Sequence, residues 1–302
     1  MKKEIKNKPA SVLAKLKNIA KAQKVDEVLI RRRYCQERFL YRLSVSEFAD
    51  NFSLKGGLLL VCLDVPTTRP TVDIDFLTTQ LSHDTQTLEK VVSKIASLPY
   101  DDGVSFITKA VTSQEIIEDG DYPGIRIKMP VLIGTAKSTL QLDFGWGDIV
   151  KPAETIIDFP TLLSDEPAPK LKAYSIESAI SEKFEVMINL GIVNSRIKDF
   201  YDVYILSSSK SFEARALRNA IEATFKNRET PLSENLLVFS KDFSKDMQKQ
   251  WAAFLKKHKL NAPEDFAEVI TRIAALLKPL VVSIVDDKEI NSSWDSSKGA
   301  WK

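Results

Sequence analysis

Lys55-Gly56-Gly57-Leu58 and, further on, Arg69-Pro70-Thr71-Val72-Asp73-Ile74-Asp75-Phe76 are the stretches on which the reading of this chain turns. Successive residues of a strand point to opposite faces. Asp73 and Asp75 therefore project together, while Val72, Ile74 and Phe76 project to the other side. Aspartate is depleted in strands, and like charges side by side cost stability. A divalent cation takes hard oxygen ligands and relieves that repulsion. A metal held in this way often carries phosphates, which points to phosphoryl or nucleotidyl transfer. The competing reading is an ordinary wet strand face that happens to carry two carboxylates.

The double glycine bears on that choice. Gly56-Gly57 follows Phe52 and Leu54 and precedes the apolar run Leu58-Leu59-Leu60-Val61. Glycine permits positive φ and close approach of backbone to a ligand. Amides exposed at such a turn form an anion site, and Lys55 places a cation beside it. A plain turn between two apolar elements would look the same taken alone. Followed by Asp73-x-Asp75, the pair resembles the layout of polymerase-β-like nucleotidyltransferases: glycines for the triphosphate, carboxylates for magnesium.

Working outward, 302 residues suffice for one large domain or two of ordinary size. A hydrophobic fraction of 44% with 28% charged residues is that of a globular chain. The net charge of +2 says little about nucleic acid, so local clusters must be weighed instead. Lys17, Lys21 and Lys24 recur at helical spacing, and Arg31-Arg32-Arg33 follows. These suit a phosphate-tracking surface, against which stands a solvated helix face for the lysines and, for the triplet, followed by Tyr34 and preceding Phe39, Leu40 and Tyr41, partial burial against a core. Cys35, Cys62, His83 and His258 lack the spacing of a zinc site. Cys62, in an apolar run, reads as core. Two cysteines fit a reducing cytoplasm. The start, Met1-Lys2-Lys3-Glu4, is not a signal h-region. Lys278 and Pro279 interrupt the longest late apolar run, so no membrane span is expected.

Helices are expected over 9–23 and 25–44, with a short one from Leu58 to Cys62 and a loop bounded by Pro66 and Pro70. Residues 72–77 form the carboxylate strand, 84–97 a helix, and 104–117 and 124–146 strands with a hairpin loop over 134–138. Pro152 to Pro169 reads as a proline-punctuated connection. Everything beyond it reads helical: 176–191, 195–207, 211–226, 233–258 and 263–285. The expected fold is α+β or α/β and bilobal. A nucleotidyltransferase lobe with a mixed sheet spans 1–165, with N-terminal helices over 1–50, and a helical lobe spans 166–285. The polar stretch 286–302 reads as a disordered tail, in which Trp294 and Trp301 imply docking on a partner or on the domain itself.

Further charged groups complete the candidate site. Asp143 lies mid-strand, opposite Leu142 and Phe144, and converges with Asp73 and Asp75 if the two strands are neighbours. It then serves as a third metal ligand or assists deprotonation of an attacking hydroxyl. A wet-face aspartate is the equal alternative. Asp148, past Gly145-Trp146-Gly147, is a weaker candidate, since a turn aspartate needs no special account. Lys183 falls on or beside the apolar stripe of Ile176, Ala179, Ile180, Phe184, Met187 and Ile188. It must be paired or face a polar cleft, unless it snorkels outward from the stripe edge. Asp199 and Asp202 share a helix face, with Lys183 or Arg196 as natural partners. Asp199 would orient Lys183; Asp202 would tie the helices together or help position a nucleotide.

As a set, these motifs resemble the AbiEii/AbiGii family of nucleotidyltransferase-like toxins, relatives of the polymerase-β superfamily. The resemblance rests on Lys55-Gly56-Gly57; Thr71-x-Asp73-x-Asp75; Leu142-Asp143; Ser181-Glu182-Lys183; and Arg196-Ile-Lys-Asp199-Phe-Tyr-Asp202. The opening Tyr34-Cys-Gln-Glu37-Arg38-Phe-Leu-Tyr41-Arg42-Leu also matches, and the whole covers roughly residues 9–285.

The resemblance implies a cytoplasmic bacterial toxin of a toxin–antitoxin or phage-defence system that binds a nucleoside triphosphate and Mg²⁺. Some relatives transfer a nucleotide to the 3′ end of tRNA and so block translation. Carried over, Lys55, Asp73, Lys183 and Asp199 form the essential group. Asp75 is the second metal ligand, Asp143 the third carboxylate, and Gly56, Gly57, Lys55, Lys183 and Asp202 the nucleotide contacts, in a cleft between the lobes. The implied partner is an antitoxin with a winged-helix DNA-binding part. The rival readings are a small-molecule nucleotidyltransferase of the antibiotic-modifying kind, a protein modifier or nucleotide-binding regulator, and a kinase-like activity. The basic N-terminal clusters weigh against the first.

Overall fold

A computed structural model describes residues 7–65, 69–118, 122–191 and 196–302. Pro66, which bounds the expected loop, and residue 195, at the expected start of a helix, lie outside them. The chain divides into two compact units. The first comprises Met1–Cys62, Pro70–Gly147 and Ile156–Ala173; the second comprises Leu63–Arg69, Asp148–Thr155 and Tyr174–Lys302.

The first unit opens with two helices, α1 (Lys8–Gln23) and α2 (Glu27–Ser44). Each is started by a side chain that accepts from a backbone amide of the first turn, Asn7 from Ala10 and Asp26 from Val28. The sheet follows: β1 (Phe52–Lys55), β2 (Asp73–Thr78), β3 (Val104–Phe106), β4 (Thr112–Glu118), β5 (Tyr122–Ile133), β6 (Ala136–Gly145), β7 (Thr155–Asp158) and β8 (Lys170–Ala173). Between them lie the one-turn helix α3 (Gly56–Leu59), continued as a 3-10 turn to Cys62, and α4 (Thr85–Ala96). The strand order is β3-β5-β6-β2-β1-β8-β7, with β4 also on β5. Strand β2 is antiparallel to β1 and parallel to β6, so the sheet is mixed and the carboxylate strand is interior to it.

Three expectations about this unit change. The hairpin between β5 and β6 is a two-residue turn, Gly134-Thr135, because Ile133 pairs with Ala136. The segment expected to begin the helical lobe contains strand β8, parallel to β1 through Ser53 opposite Lys172. Its Leu171 and Ala173 are buried while Lys170 is exposed. That is period-two patterning in a segment too short to show it convincingly after a proline-rich run. Cys62, expected in the core, is only half-buried; Cys35 is buried.

The second unit is helical: α5 (Ile176–Leu190), α6 (Ile197–Ser209), α7 (Ala214–Asn227), α8 (Lys241–His258) and α9 (Phe266–Val285). Helix α8 starts later than the expected residue 233, because Ser240 caps it by accepting from the Phe243 amide. Phe200, Phe243, Trp251 and Phe266 form its aromatic core, with the Trp251 and Phe266 rings 5.2 Å apart. No helix among the described residues is long and apolar enough to cross a membrane.

The tail is not disordered. Strands β9 (Trp294–Asp295) and β10 (Ala300–Trp301) form a small hairpin. Trp294 is buried, its indole N–H donating to the Ser207 carbonyl at 2.7 Å, and Trp301 donates to the Leu276 carbonyl at 3.0 Å. Two indoles bury enough apolar area to hold a polar segment in place. Of the two fates open to these tryptophans, docking on their own domain is the one observed.

Candidate active site

The register across the sheet aligns four charged residues. Lys55 on β1 stands opposite Asp75 on β2, Asp75 opposite Asp143 on β6, and Asp143 opposite Arg126 on β5. Directly opposed residues share a face, so the row reads cation, anion, anion, cation. Asp73 lies two residues before Asp75 on the same face. One carboxylate oxygen from each of Asp73, Asp75 and Asp143 lies within 4.8 Å of the others. The convergence of the three aspartates, conditional on strand adjacency, is thus met.

Each member is held from outside the row. Thr71 donates its hydroxyl to Asp73 at 2.7 Å. The buried Gln36 of α2 donates to the Val72 carbonyl at 3.1 Å, fixing the entry to β2. Arg126 pairs with both oxygens of Asp143, at 2.7 and 2.6 Å. Asp143 and Lys55 are buried, and Asp73 and Asp75 half-buried. Gly56 has φ +67°, and a Cβ placed there would lie 1.9 Å from Asp75 Oδ2. Glycine is required both by the backbone and by the carboxylate packed against it.

Arg126 and Gln36 contact the candidate site, and the sequence reading did not name them as part of it. Arg126 alternates with Ile125 and Ile127 like any wet-face residue of β5. Only the register with Asp143 distinguishes it, and strand register is not a local property of sequence.

Two members of the arginine run before the site are engaged within the fold. Arg31 pairs with Glu27 one turn back, and Arg33 lies 4.0 Å over the Phe159 ring while donating to the Pro160 carbonyl. Within the same helix Glu37 accepts from the Leu162 amide and pairs with Arg38, and Arg42 pairs with Asp102 at 2.6 Å. Lys17, Lys21 and Lys24 are exposed.

A second charge cluster lies in the helical unit. Lys183 Nζ is 2.7 Å from Asp199 Oδ1 and 2.7 Å from Asp202 Oδ2. Arg196 donates to Asp199 at 2.8 Å, and Arg69 makes a two-pronged pair with Asp202 at 3.0 and 2.9 Å. Both carboxylates are fully buried, and Lys183 is nearly so. The outward-snorkelling alternative for Lys183 is excluded. Burial pulls the Lys183 ammonium down, but Asp199 and Asp202 outweigh it and hold the group above its ordinary value. Burial likewise pushes Asp199 up, and Lys183 and Arg196 overcome that and hold it well below the usual carboxylate range. Asp202 accordingly ties helices α5 and α6 together, one of the two roles open to it. Asp148 is accounted for by Arg228, at 2.9 Å, which also binds the buried Glu185.

Paired carboxylates on an interior strand, a third on its parallel neighbour and a glycine turn packed against them define a polymerase-β-like nucleotidyltransferase lobe, here followed by a helical unit. The chain belongs to the family described as "Nucleotidyl transferase AbiEii toxin, Type IV TA system", whose model matches residues 38–272. It is therefore a nucleotidyltransferase of the toxin–antitoxin class, with a nucleoside triphosphate as substrate and an antitoxin as partner. Among solved structures it is similar in fold to a candidate nucleotidyltransferase from H. pylori, with a TM-score of 0.51 and 16% identity, over 88% of this chain and 100% of that one. JHP933 from Helicobacter pylori gives a TM-score of 0.50 and 17% identity over 84% and 96%. Among curated proteins none matches the sequence.

Proposed function

We propose that this chain moves one nucleotide from a nucleoside triphosphate to the 3′ end of an RNA, with the tRNA acceptor stem as the acceptor, and thereby stops translation in the cytoplasm as a toxin of phage-defence type. The observation that carries the reading is the convergence of Asp73, Asp75 and Asp143 within 4.8 Å. All three offer hard oxygen donors, the set that suits Mg²⁺. Three carboxylates so close repel one another, and a divalent cation relieves that repulsion. The residues therefore fit a divalent cation. Asp73 and Asp75, with Asp143, would hold Mg²⁺, which supplies charge neutralisation and orientation of phosphate oxygens.

The chain's own groups have these tasks. Lys55, next to Asp75, stabilises negative charge that develops on the transferred phosphoryl group. Gly56 leaves room for the Asp75 carboxylate, and Gly56 and Gly57 let backbone approach a phosphate. Asp143 accepts the proton of the attacking 3′-hydroxyl. The hydroxyl oxygen bonds to the α-phosphorus as the bond from that phosphorus to the bridging oxygen breaks, and pyrophosphate leaves with the electron pair. Within the helical unit, Lys183 is oriented by Asp199, with Asp202 beside it.

The test is transfer of label from each α-³²P nucleoside triphosphate to total tRNA with Mg²⁺, beside the Asp75→Ala variant. Label in tRNA with the wild type and none with the variant is the expected result. Label in protein or small molecules alone, or none anywhere despite triphosphate binding, would overturn the RNA acceptor.

A further inference from the structure

Arg126 has no task in that chemistry, yet it sits on its third carboxylate. Its Nε and one terminal nitrogen donate to the two oxygens of Asp143 at 2.7 and 2.6 Å. Fork-to-fork pairing of this kind is strong and directional, and it takes up a lone pair on each oxygen. Asp143 is buried, whereas the Arg126 side chain remains 29% exposed. The pair is thus more deeply buried at the carboxylate than at the guanidinium. A divalent cation arriving among the three aspartates meets a guanidinium already seated on one of them, and two cations sharing a carboxylate repel each other. A guanidinium also matches a phosphate as well as it matches a carboxylate, and Arg126 keeps part of its side chain in contact with solvent.

We propose that Arg126 is a resident counter-ion that competes with metal for Asp143. Without nucleotide, one divalent cation binds through Asp73 and Asp75. Asp143 becomes available as ligand or proton acceptor when a substrate phosphate draws the guanidinium away. This inference rests on the reading of the three aspartates as the metal site of nucleotidyl transfer. Arg126 is then a positioning residue whose effect on metal binding is opposite in sign to that of a structural brace. Removing a brace weakens the site; removing a competitor strengthens it.

The experiment is titration of the full chain with Mn²⁺ alone, reading free Mn²⁺ by electron paramagnetic resonance. The wild type should take up one ion per chain. R126Q should bind Mn²⁺ at least tenfold tighter, or take up a second ion. D143N should change wild-type affinity less than twofold but abolish the gain in the R126Q background. Unchanged or weaker binding in R126Q of native circular dichroism would overturn the proposal. Should R126Q not fold, D143N in the wild-type chain decides: a tenfold loss would show Asp143 to be a full ligand beside Arg126, and the idea fails. Two ions on the wild type would sink this inference alone, whereas no ion on any form would sink the metal-site reading with it.

Discussion

Gly56→Ala is the sharpest perturbation the structure offers. Gly56 has φ +67°, and an added Cβ would lie 1.9 Å from Oδ2, 2.5 Å from Cγ and 2.8 Å from Cβ of Asp75, where real Cβ atoms do not come within 3.0 Å. Turning the carboxylate to another rotamer moves the first two atoms but not the third, so β2 or the turn must shift. Left-handed backbone costs a residue with a Cβ about 1–2 kcal/mol, and forcing atoms into filled space adds about 1–3 kcal/mol. Gly147 supplies the control. It lies in the same unit at φ +82°, with nothing within 4 Å of an added Cβ. Gly147→Ala should therefore cost only the backbone part, about 1–2 kcal/mol, and keep transfer activity. Gly56→Ala should cost about 2–5 kcal/mol. It should also lose activity on the order of 10²-fold, the penalty for misplacing a reacting group by about 1 Å. Thermal unfolding followed by circular dichroism, with transfer of α-³²P label at saturating triphosphate, reads both. If the two variants unfold alike and both transfer label, the packing of Gly56 on Asp75 does not set the site.

The helical unit gives further tests. Lys183→Met leaves Asp199 and Asp202 buried against fewer cations, and breaking a buried pair from one side costs about 3–5 kcal/mol; urea unfolding checks it, and a loss under 1 kcal/mol would contradict the burial seen here. Asp199 has a folded value below its unfolded value of about 3.9, so its contribution is full above that pH and lost as pH falls through the folded value. Lys183, held high, contributes fully below its unfolded value of about 10.4 and loses that contribution as pH rises through its folded value. The contributions of these two groups are therefore constant between these limits, and urea midpoints measured against pH should fall at both ends. Asp199→Asn should flatten the acid limb, and an acid limb identical to wild type would rule the residue out as its source. Trp294→Ala removes a buried ring and its bond to Ser207, for about 3–5 kcal/mol; limited proteolysis should then cut within 286–302, and resistance equal to wild type would show that the hairpin holds without it.

What was legible in the sequence follows the range of the interactions. Helices α1, α2, α4, α5 and α9 announce themselves through apolar stripes and capping side chains, both local. The Asp73/Asp75 pair is equally local, since period-two alternation sets which face they take. Lys183 was legible because a cation on an apolar stripe demands a partner, and Asp199 and Asp202, on one face of the next helix, were the nearest candidates. Arg69, the further partner of Asp202, lay too far along the chain for any spacing rule to connect them. Strand β8 and the tail hairpin were missed for a related reason. A strand of four residues or two carries too little periodicity to read, and its stability comes from the partner it packs on. The basic run at Arg31–Arg33 was legible in part: its apolar neighbours imply partial burial, met where Arg33 lies over Phe159, but a charge pattern does not name the ring.

The face of the sheet opposite the carboxylates shows why the site can be so closely drawn. One step along each strand from Lys55, Asp75, Asp143 and Arg126, the register gives a second row: Leu54, Phe76, Phe144 and Ile125. All four are no more than 1% exposed. Phe52 joins them, its ring 5.6 Å from that of Phe76 and 5.3 Å from that of Phe144, while Phe76 and Phe144 stack at 5.5 Å. Aromatic rings in this contact leave little freedom to slide. A register slip of one residue would drive Asp75 and Asp143 into this cluster and expose the rings. The apolar packing of one face thus enforces, against their mutual repulsion, the alignment of the charges on the other. The energy that holds three carboxylates within reach of one cation comes from the phenylalanines beneath them. A substitution such as Phe76→Leu, which preserves hydrophobicity but empties part of the cluster, should therefore loosen the carboxylate row on the far face as well as cost stability; thermal unfolding and Mn²⁺ titration read the two, and a destabilised variant with wild-type Mn²⁺ uptake would contradict that coupling.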